Sequence, residues 1–114
     1  MPPNDRVRLR HMLDAASQAL EFGAGHTRED LEIDRMRALA IVRCIEIIGE
    51  AAAKVTDETR VTHADIPWGD IVGMRNRLIH AYFDIDLDRV CDTLANDLAP
   101  LMAALRQMLP DSGP

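Results

Sequence analysis

Three side chains lie close enough in sequence to carry out chemistry together: Arg75, Asn76 and His80. An arginine guanidinium stays cationic and can bind a phosphate or carboxylate through two nitrogens at once. A histidine imidazole titrates near neutral pH, so it can accept or donate a proton beside such an anion. Asn76 precedes His80 by one helical turn and can hydrogen-bond to the ring. The group is therefore a candidate site for phosphate binding and proton transfer.

Arg75 occupies an unusual position on the helix that is predicted to begin at Pro67. On an ideal helix it shares a face with Ile71, Leu78 and Tyr82, because residues three, four and seven apart stack on one another. A charge on an apolar face needs a partner, a ligand or a second subunit. Two interpretations stay open: a functional site, or a buried arginine paired with an acidic residue beside an ordinary histidine at the helix end.

Composition predicts one all-α domain over residues 1–114, with flexible ends at about 1–4 and 110–114. The chain has 114 residues, of which 47% are hydrophobic and only 4% aromatic. This aliphatic-rich, aromatic-poor composition suits a helical bundle. The net charge is −6, so bulk electrostatics do not attract nucleic acid, and any such site must be a local basic patch. Lys54 is the only lysine among the 13 basic residues, and arginine is the better bidentate ligand for phosphate.

No pattern in the sequence predicts a metal, a cofactor or a membrane span. Cys44 and Cys91 lack the spacing of metal ligands and are expected to be packing residues without a disulfide. The apolar run over residues 38–53 is interrupted by charged side chains, and the polar start does not predict a secretory signal. We therefore expect a cytoplasmic protein. The remaining histidines also lack partners at metal spacing: His11, His26 and His63.

The first half of the chain predicts two helices. Asn4 can cap a first helix that runs to about Phe22. The stretch Thr27-Arg28-Glu29-Asp30 resembles a capping box, and a long helix from about Glu29 to Val55, with a bend near its start, should follow it. Gly49 inside this helix costs about 1 kcal/mol against alanine, which indicates the close approach of another helix, either from the same chain or from a second subunit.

The second half predicts two more helices. Residues 57–65 read as a polar connector, after which Pro67 can occupy the first position of a third helix. Asp86 can cap a last helix that runs to about Leu109, with a kink at Pro100 because proline removes a backbone donor. The predicted inward positions of that helix are Val90, Leu94, Leu98, Leu101, Leu105 and Met108.

The sequence resembles the HepT toxins of the HEPN superfamily. The segments that carry the resemblance are Ile47-Ile48-Gly49-Glu50-Ala51-Ala52, then Ile66-Pro67-Trp68, then Gly73 to Phe83. It covers nearly the whole chain after residue 5, and Arg75-Asn76-x3-His80-x-Tyr82 in this context is more specific than an Arg-x4-His spacing alone. The resemblance implies an up-and-down bundle of four to five helices that dimerises with its two motifs facing each other.

The resemblance also implies an activity and partners. The family members are metal-independent endoribonucleases, the toxins of toxin–antitoxin pairs. The expected partner is a small MNT-type nucleotidyltransferase, in a complex that can be larger than a heterodimer. It neutralises the toxin by binding to it, or by AMPylating the tyrosine that corresponds to Tyr82.

RNA cleavage without a metal makes three chemical demands. The 2′-hydroxyl must lose a proton, the leaving 5′-oxygen must gain one, and the charge on the phosphorane must be stabilised. Arg75 can stabilise the charge and His80 can transfer a proton, but one chain offers a single motif histidine for two proton transfers. The two residues also lie about 140° apart around an ideal helix. A two-fold dimer would supply two copies of each to one cleft, and a distorted helix near His80 is the alternative.

A different class of function stays open as well. In this alternative the protein is a non-catalytic helical dimer, an interaction module for a nucleotidyltransferase partner. Arg75 and His80 would then only hold the interface together.

Overall fold

The structure is a computed structural model that describes residues 1–79 and 84–109, and every regular element in these ranges is helical. The predicted all-α class is therefore confirmed. The predicted flexible end at 110–114 lies outside the described residues. The helices are α1 (Pro3–Gly23), α2 (Arg28–Ile33), α3 (Arg35–Ala53), α4 (Asp57–Thr62), α5 (Trp68–Val72), α6 (Met74–Leu78), α7 (Leu87–Asp92) and α8 (Leu98–Met108), with a π-helical turn at Thr93–Asp97 between the last two.

The core lies between α1, α3 and α8. Helices α1 and α3 pack along each other, α8 covers α1, and the short helices α5 and α6 pack on α3. Burying a leucine or isoleucine side chain contributes about 1.5–3 kcal/mol relative to leaving it exposed, so this apolar contact holds the bundle together. The large side chains that are fully buried include Leu9, Met12, Ile41, Ile45, Ile48, Leu98 and Leu105.

The start of α1 differs from the prediction. The helix begins at Pro3 rather than after Asn4, and no side chain caps it. Proline suits this position because the first helical N–H has no partner within the helix and the ring pre-sets φ. The predicted cap at Asn4 is therefore wrong.

Asp5 ties this first turn to α4. Its side chain is buried, and it accepts hydrogen bonds from the Thr56 N–H at 3.1 Å and from the hydroxyls of Thr56 and Thr59 at 2.6 Å each. Burial alone would raise the pKa of the Asp5 carboxyl, but the hydrogen bonds from Thr56 and Thr59 outweigh it and hold the pKa below its usual value. Neither this contact nor α4 was predicted from the sequence, and α4 lies in the stretch predicted to be a connector.

The predicted long helix is divided at Asp34. The capping box at its start is confirmed, because Thr27 and Asp30 each accept a hydrogen bond from the other's backbone N–H. At Asp34 the backbone leaves the helical region, and its carboxylate accepts the Arg37 N–H at 3.1 Å to start α3. That backbone hydrogen bond is the main reason why the pKa of Asp34 is lowered. The anticipated bend is thus a full break between α2 and α3.

Gly49 is the point where α5 reaches α3. A Cβ built on Gly49 would lie 3.3 Å from the carbonyl oxygens of both Ile71 and Val72. The predicted close approach is confirmed, and the neighbouring helix belongs to the same chain. This contact sets the distance between α3 and the short helices that carry the motif.

The last helical segment begins at the predicted cap and buries the predicted side chains. Asp86 accepts the Arg89 N–H at 3.1 Å as the cap of α7. Of the six predicted inward side chains, Leu94 is half-buried and the other five are buried. The π-helical turn ends shortly before Pro100, whose missing N–H and bulky ring disfavour a regular α-turn there.

Cys44 is buried, Cys91 is half-buried, and neither forms a disulfide, as predicted. Burial raises the pKa of both thiols. Within residues 1–79 and 84–109, no helix has the length and apolar character needed to cross a membrane.

Candidate functional site

The helix that was predicted to carry the motif is broken at Gly73. Pro67 precedes α5 rather than starting it, and Gly73 separates α5 from α6 with ψ near −1° instead of a helical value. Because of this break, the spacing of an ideal helix does not continue from Ile71 to the residues that follow. Met74 takes the buried position, whereas half of the Arg75 side chain is exposed. The expectation that Arg75 lies on a core-facing position is therefore wrong.

Arg75 is nevertheless paired with an acidic side chain. Its Nε lies 2.5 Å from Oε2 of Glu46 on α3. The other carboxylate oxygen of Glu46 lies 3.6 Å from Nη1 of Arg43, which also reaches Oε2 of Glu50 at 3.1 Å. Charges of alternating sign thus run across the surface in the order Arg75, Glu46, Arg43, Glu50. Exposed pairs of this kind contribute only about 0–1 kcal/mol each, so the cluster matters more for orientation than for stability.

The pairing engages one edge of the Arg75 guanidinium. Glu46 accepts from Nε, and no acceptor in residues 1–79 or 84–109 bonds to the two terminal nitrogens of Arg75. Those two nitrogens form the fork that can donate to two oxygens of one phosphate. Half of the Arg75 side chain is exposed, which leaves room for an anion to approach.

The two residues after Arg75 differ from it in their surroundings. Asn76 is exposed, and its side chain makes no hydrogen bond within the described part of the chain. Arg77 donates from Nη2 to the Asp70 carbonyl oxygen at 2.9 Å. It also lines a groove of about 410 Å³, together with Asn96 and Pro100, to which Arg75 does not contribute. Arg75 and Arg77 therefore serve different surfaces.

His80 and Tyr82 lie outside the described residues, so the structure does not place them relative to Arg75. What it shows is where the helix ends. Helix α6 stops at Leu78, Ile79 is extended with φ −126° and ψ 117°, and Ile79 forms an antiparallel bridge with Ile85. The Asp86 N–H donates to the Leu78 carbonyl oxygen at 2.7 Å. The prediction of one continuous helix through Tyr82 is wrong, because α6 ends at Leu78. The alternative of a distorted helix near His80 falls on residues outside the described ranges.

Two residues at this site were not among the predicted site residues: Glu46 and Arg43. Both belong to the charged strip that interrupts the apolar run of α3. The sequence did contain information about Glu46. It lies one helical turn before Gly49, so both residues lie near the same neighbouring segment of the chain. If Gly49 marks a close approach, an acidic side chain one turn away is well placed to meet a cation on the approaching segment.

A metal site does not emerge from the described residues. Among residues 1–79 and 84–109, no group of three or more His, Cys, Asp or Glu side chains could hold a metal ion. The described side chains around Arg75 carry guanidinium, amide and carboxylate groups.

Comparison with known proteins gives a consistent result. The profile of the family described as "Ribonuclease HepT-like" matches residues 12–108. The chain is 34% identical over 104 residues to "Putative RNase TTE0752" of Caldanaerobacter subterraneus subsp. tengcongensis, which covers 91% of this chain and 93% of that protein. It is 32% identical over 100 residues to "Probable ribonuclease HepT" of Thermococcus cleftensis, which covers 84% and 91%. No solved structure gives a significant match.

Proposed function

The chain belongs to the HepT-like ribonuclease family, and on that premise we propose that it is a metal-independent endoribonuclease, the toxin of a toxin–antitoxin pair. The observation that carries the proposal is the half-exposed Arg75, held at one edge by Glu46 with its terminal nitrogens unbonded in the described chain. An arginine in this state can receive an RNA phosphate without first leaving a buried ion pair, whose disruption would be costly.

Each motif residue has a role in the proposed reaction. Arg75 binds the scissile phosphate and stabilises the charge that develops on the phosphorane. His80 either takes the proton from the 2′-hydroxyl or gives a proton to the leaving 5′-oxygen. Asn76, exposed beside Arg75, hydrogen-bonds to the substrate or orients the imidazole. Because the overall charge is −6, bulk electrostatics do not attract the RNA, and binding depends on local contacts such as the one that Arg75 makes with the phosphate.

The proposed site is composite, formed by two chains around a two-fold axis. One of the original reasons for a dimer was that Arg75 would lack a partner, and that reason no longer holds because Glu46 of the same chain supplies one. The other reason stands: the reaction uses a base and an acid, and the motif has one histidine. A two-fold axis beside the motif would bring a second His80 to the cleft.

The proposed antitoxin is an MNT-type nucleotidyltransferase. It would neutralise the toxin by covering the cleft, by AMPylating Tyr82, or by both. An adenylyl group on Tyr82 would add bulk and negative charge two residues from His80, where the RNA phosphate must bind. Inhibition would then need no change of fold.

The interaction-module alternative and the ribonuclease make opposite predictions for purified protein. We expect the wild type to cleave RNA, and we expect Arg75→Ala and His80→Ala each to lower the rate by about 100-fold or more. Arg77→Ala is the matched control. It removes an equal charge two residues from Arg75, and the Arg77 side chain lines a different groove. It should cleave at nearly the wild-type rate. Wild-type protein that binds a partner but leaves RNA intact would support the interaction module instead.

Metal independence has its own test. EDTA should leave the cleavage rate of the wild type unchanged, and added Mg²⁺ or Mn²⁺ should not raise it. Strong inhibition by EDTA that a divalent ion reverses would contradict this part of the proposal.

A further inference from the structure

Glu46 is the least exposed member of the charged cluster around Arg75. Its side chain is 21% exposed, against 50% for Arg75, 58% for Arg43 and 60% for Glu50. Both of its carboxylate oxygens are engaged, one by Arg75 and the other by Arg43. A carboxylate with both oxygens occupied has little freedom to rotate. Glu46 is thus a fixed acceptor within a surface cluster of more exposed side chains.

The backbone on either side of this contact is fixed as well. Glu46 lies in the middle of α3, one turn before Gly49, where the carbonyl oxygens of Ile71 and Val72 lie against α3. Helix α6, which carries Arg75, follows α5 after the single residue Gly73. The separation between Glu46 and the backbone of Arg75 is therefore set by close packing rather than by the ion pair itself.

From these contacts we infer that Glu46 is a positioning residue, which holds Arg75 by Nε so that its two terminal nitrogens point toward the RNA phosphate. The inference rests on the proposed ribonuclease function and extends it to a residue outside the Arg75–Tyr82 motif. An arginine side chain samples many rotamers, and holding one edge removes most of that freedom before the substrate arrives. The two terminal nitrogens of Arg75 are then already placed to stabilise the charge that develops on the phosphorane.

The negative charge of Glu46 allows this role to be separated from simple binding. The carboxylate repels the RNA phosphate, so it does not strengthen binding of the ground state through electrostatics. Its benefit lies in orientation, which acts most strongly on the transition state. Replacing it with glutamine keeps the size and an acceptor oxygen but weakens the hold on Nε. In Glu46→Gln the kcat should therefore fall, while the KM for RNA stays the same or decreases.

The kinetic experiment compares Glu46→Gln with Glu50→Gln on one RNA substrate. Each change removes one carboxylate from the cluster and leaves Arg43 with one acidic partner, but only the first disturbs Arg75. We expect Glu46→Gln to lower kcat by about tenfold without raising KM, because small errors in the placement of a catalytic group are costly. Glu50→Gln should stay within about twofold of the wild type. Glu46→Asp, which keeps the charge but withdraws it by one methylene, should also lose kcat.

A spectroscopic measurement on the same proteins reports the contact directly. The Nε–H proton of Arg75, assigned by its loss in Arg75→Lys, should exchange slowly with solvent in the wild type and in Glu50→Gln, and rapidly in Glu46→Gln. Circular dichroism and the thermal midpoint confirm that each variant is folded. If Glu46→Gln does not fold, Glu46→Asp provides the comparison.

The outcomes separate this inference from the proposed function. If the wild type cleaves RNA and Glu46→Gln does so equally well or faster, Glu46 merely shields Arg75 and the inference is wrong. Equal losses in Glu46→Gln and Glu50→Gln would also overturn it, because they would reflect a general change of surface charge. If the wild type does not cleave RNA, the proposed function fails and the inference fails with it.

Discussion

Gly49 and Ile71 are in backbone contact, with the Ile71 carbonyl oxygen only 3.3 Å from the place where a Cβ on Gly49 would lie. The contact joins the central helix α3 to α5, and through the short step at Gly73 it sets the position of α6. Glu46 and Arg75, which meet one turn away, depend on the same separation. A residue without a side chain thus helps to define the geometry of the charged cluster.

Substituting Gly49 with alanine should destabilise the protein despite alanine's better helix propensity. The propensity gain is about 1 kcal/mol. Forcing a methyl group against two backbone carbonyls costs about 1–3 kcal/mol, because these neighbours are backbone atoms that move only with α5. We expect a net loss of about 1 kcal/mol in the free energy of unfolding, measured by urea denaturation. Gly69→Ala is the control, since nothing lies within 4 Å of a Cβ there, and it should be neutral or stabilising.

Asp5→Ala should destabilise the protein at neutral pH by about 2 kcal/mol, because it leaves the buried Thr59 hydroxyl without its acceptor. An unchanged free energy of unfolding would show that the contact between α1 and α4 contributes nothing. Asp14→Ala, at an exposed position of the same helix, provides the control.

The free energy of unfolding of the wild type should also depend on pH, because Asp5 titrates. Folding lowers the pKa of this carboxyl below its ordinary value of 3.8, so the unfolded chain binds more protons in that range. The stabilisation is complete at a pH above the pKa of Asp5 in the unfolded chain. It is lost as the pH falls through the pKa of Asp5 in the folded protein. Asp5→Asn cannot titrate, so its urea midpoint should fall less than that of the wild type as the pH drops below 3.8. Equal declines in the two proteins would contradict the assignment.

We expect the active species to be a homodimer whose interface includes α6, because one chain offers a single motif histidine. Light scattering at micromolar concentration should give twice the mass of the chain. Specific activity should fall on dilution as the dimer dissociates. A monomer that retains full activity would rule out a composite site.

The prediction for Tyr82 concerns regulation. Tyr82→Phe should keep ribonuclease activity, since proton transfer needs His80 and not the phenol. It should also escape neutralisation by an active nucleotidyltransferase partner, because the adenylyl acceptor is gone. Growth of cells that co-express the toxin with active or catalytically dead partner, together with the intact mass of the wild-type toxin, provides the measurement. If the active partner still neutralises Tyr82→Phe and the wild-type toxin gains no adenylyl mass, binding alone accounts for neutralisation.

Several features could be predicted from the sequence because their causes are local. The capping box at Thr27 and Asp30 and the cap at Asp86 depend on hydrogen bonds across three residues. The inward face of α8 follows from helical periodicity, which reflects only the geometry of one helix. Gly49 could be recognised as a contact point because a glycine inside a helix has a cost that packing must offset. Family membership followed from residue types in order along the chain.

The tertiary structure decided where the helices break and which charges meet. Helix α6 ends at Leu78, whose carbonyl oxygen accepts from the Asp86 N–H, beyond the reach of any helical hydrogen bond. Asp5 meets Thr59 across 54 residues, and Arg75 meets Glu46 across 29. Each of these contacts exists because apolar packing elsewhere brings two distant segments together. Periodicity and capping describe interactions within about one turn, so they contain no information about which distant polar groups the finished core will place side by side.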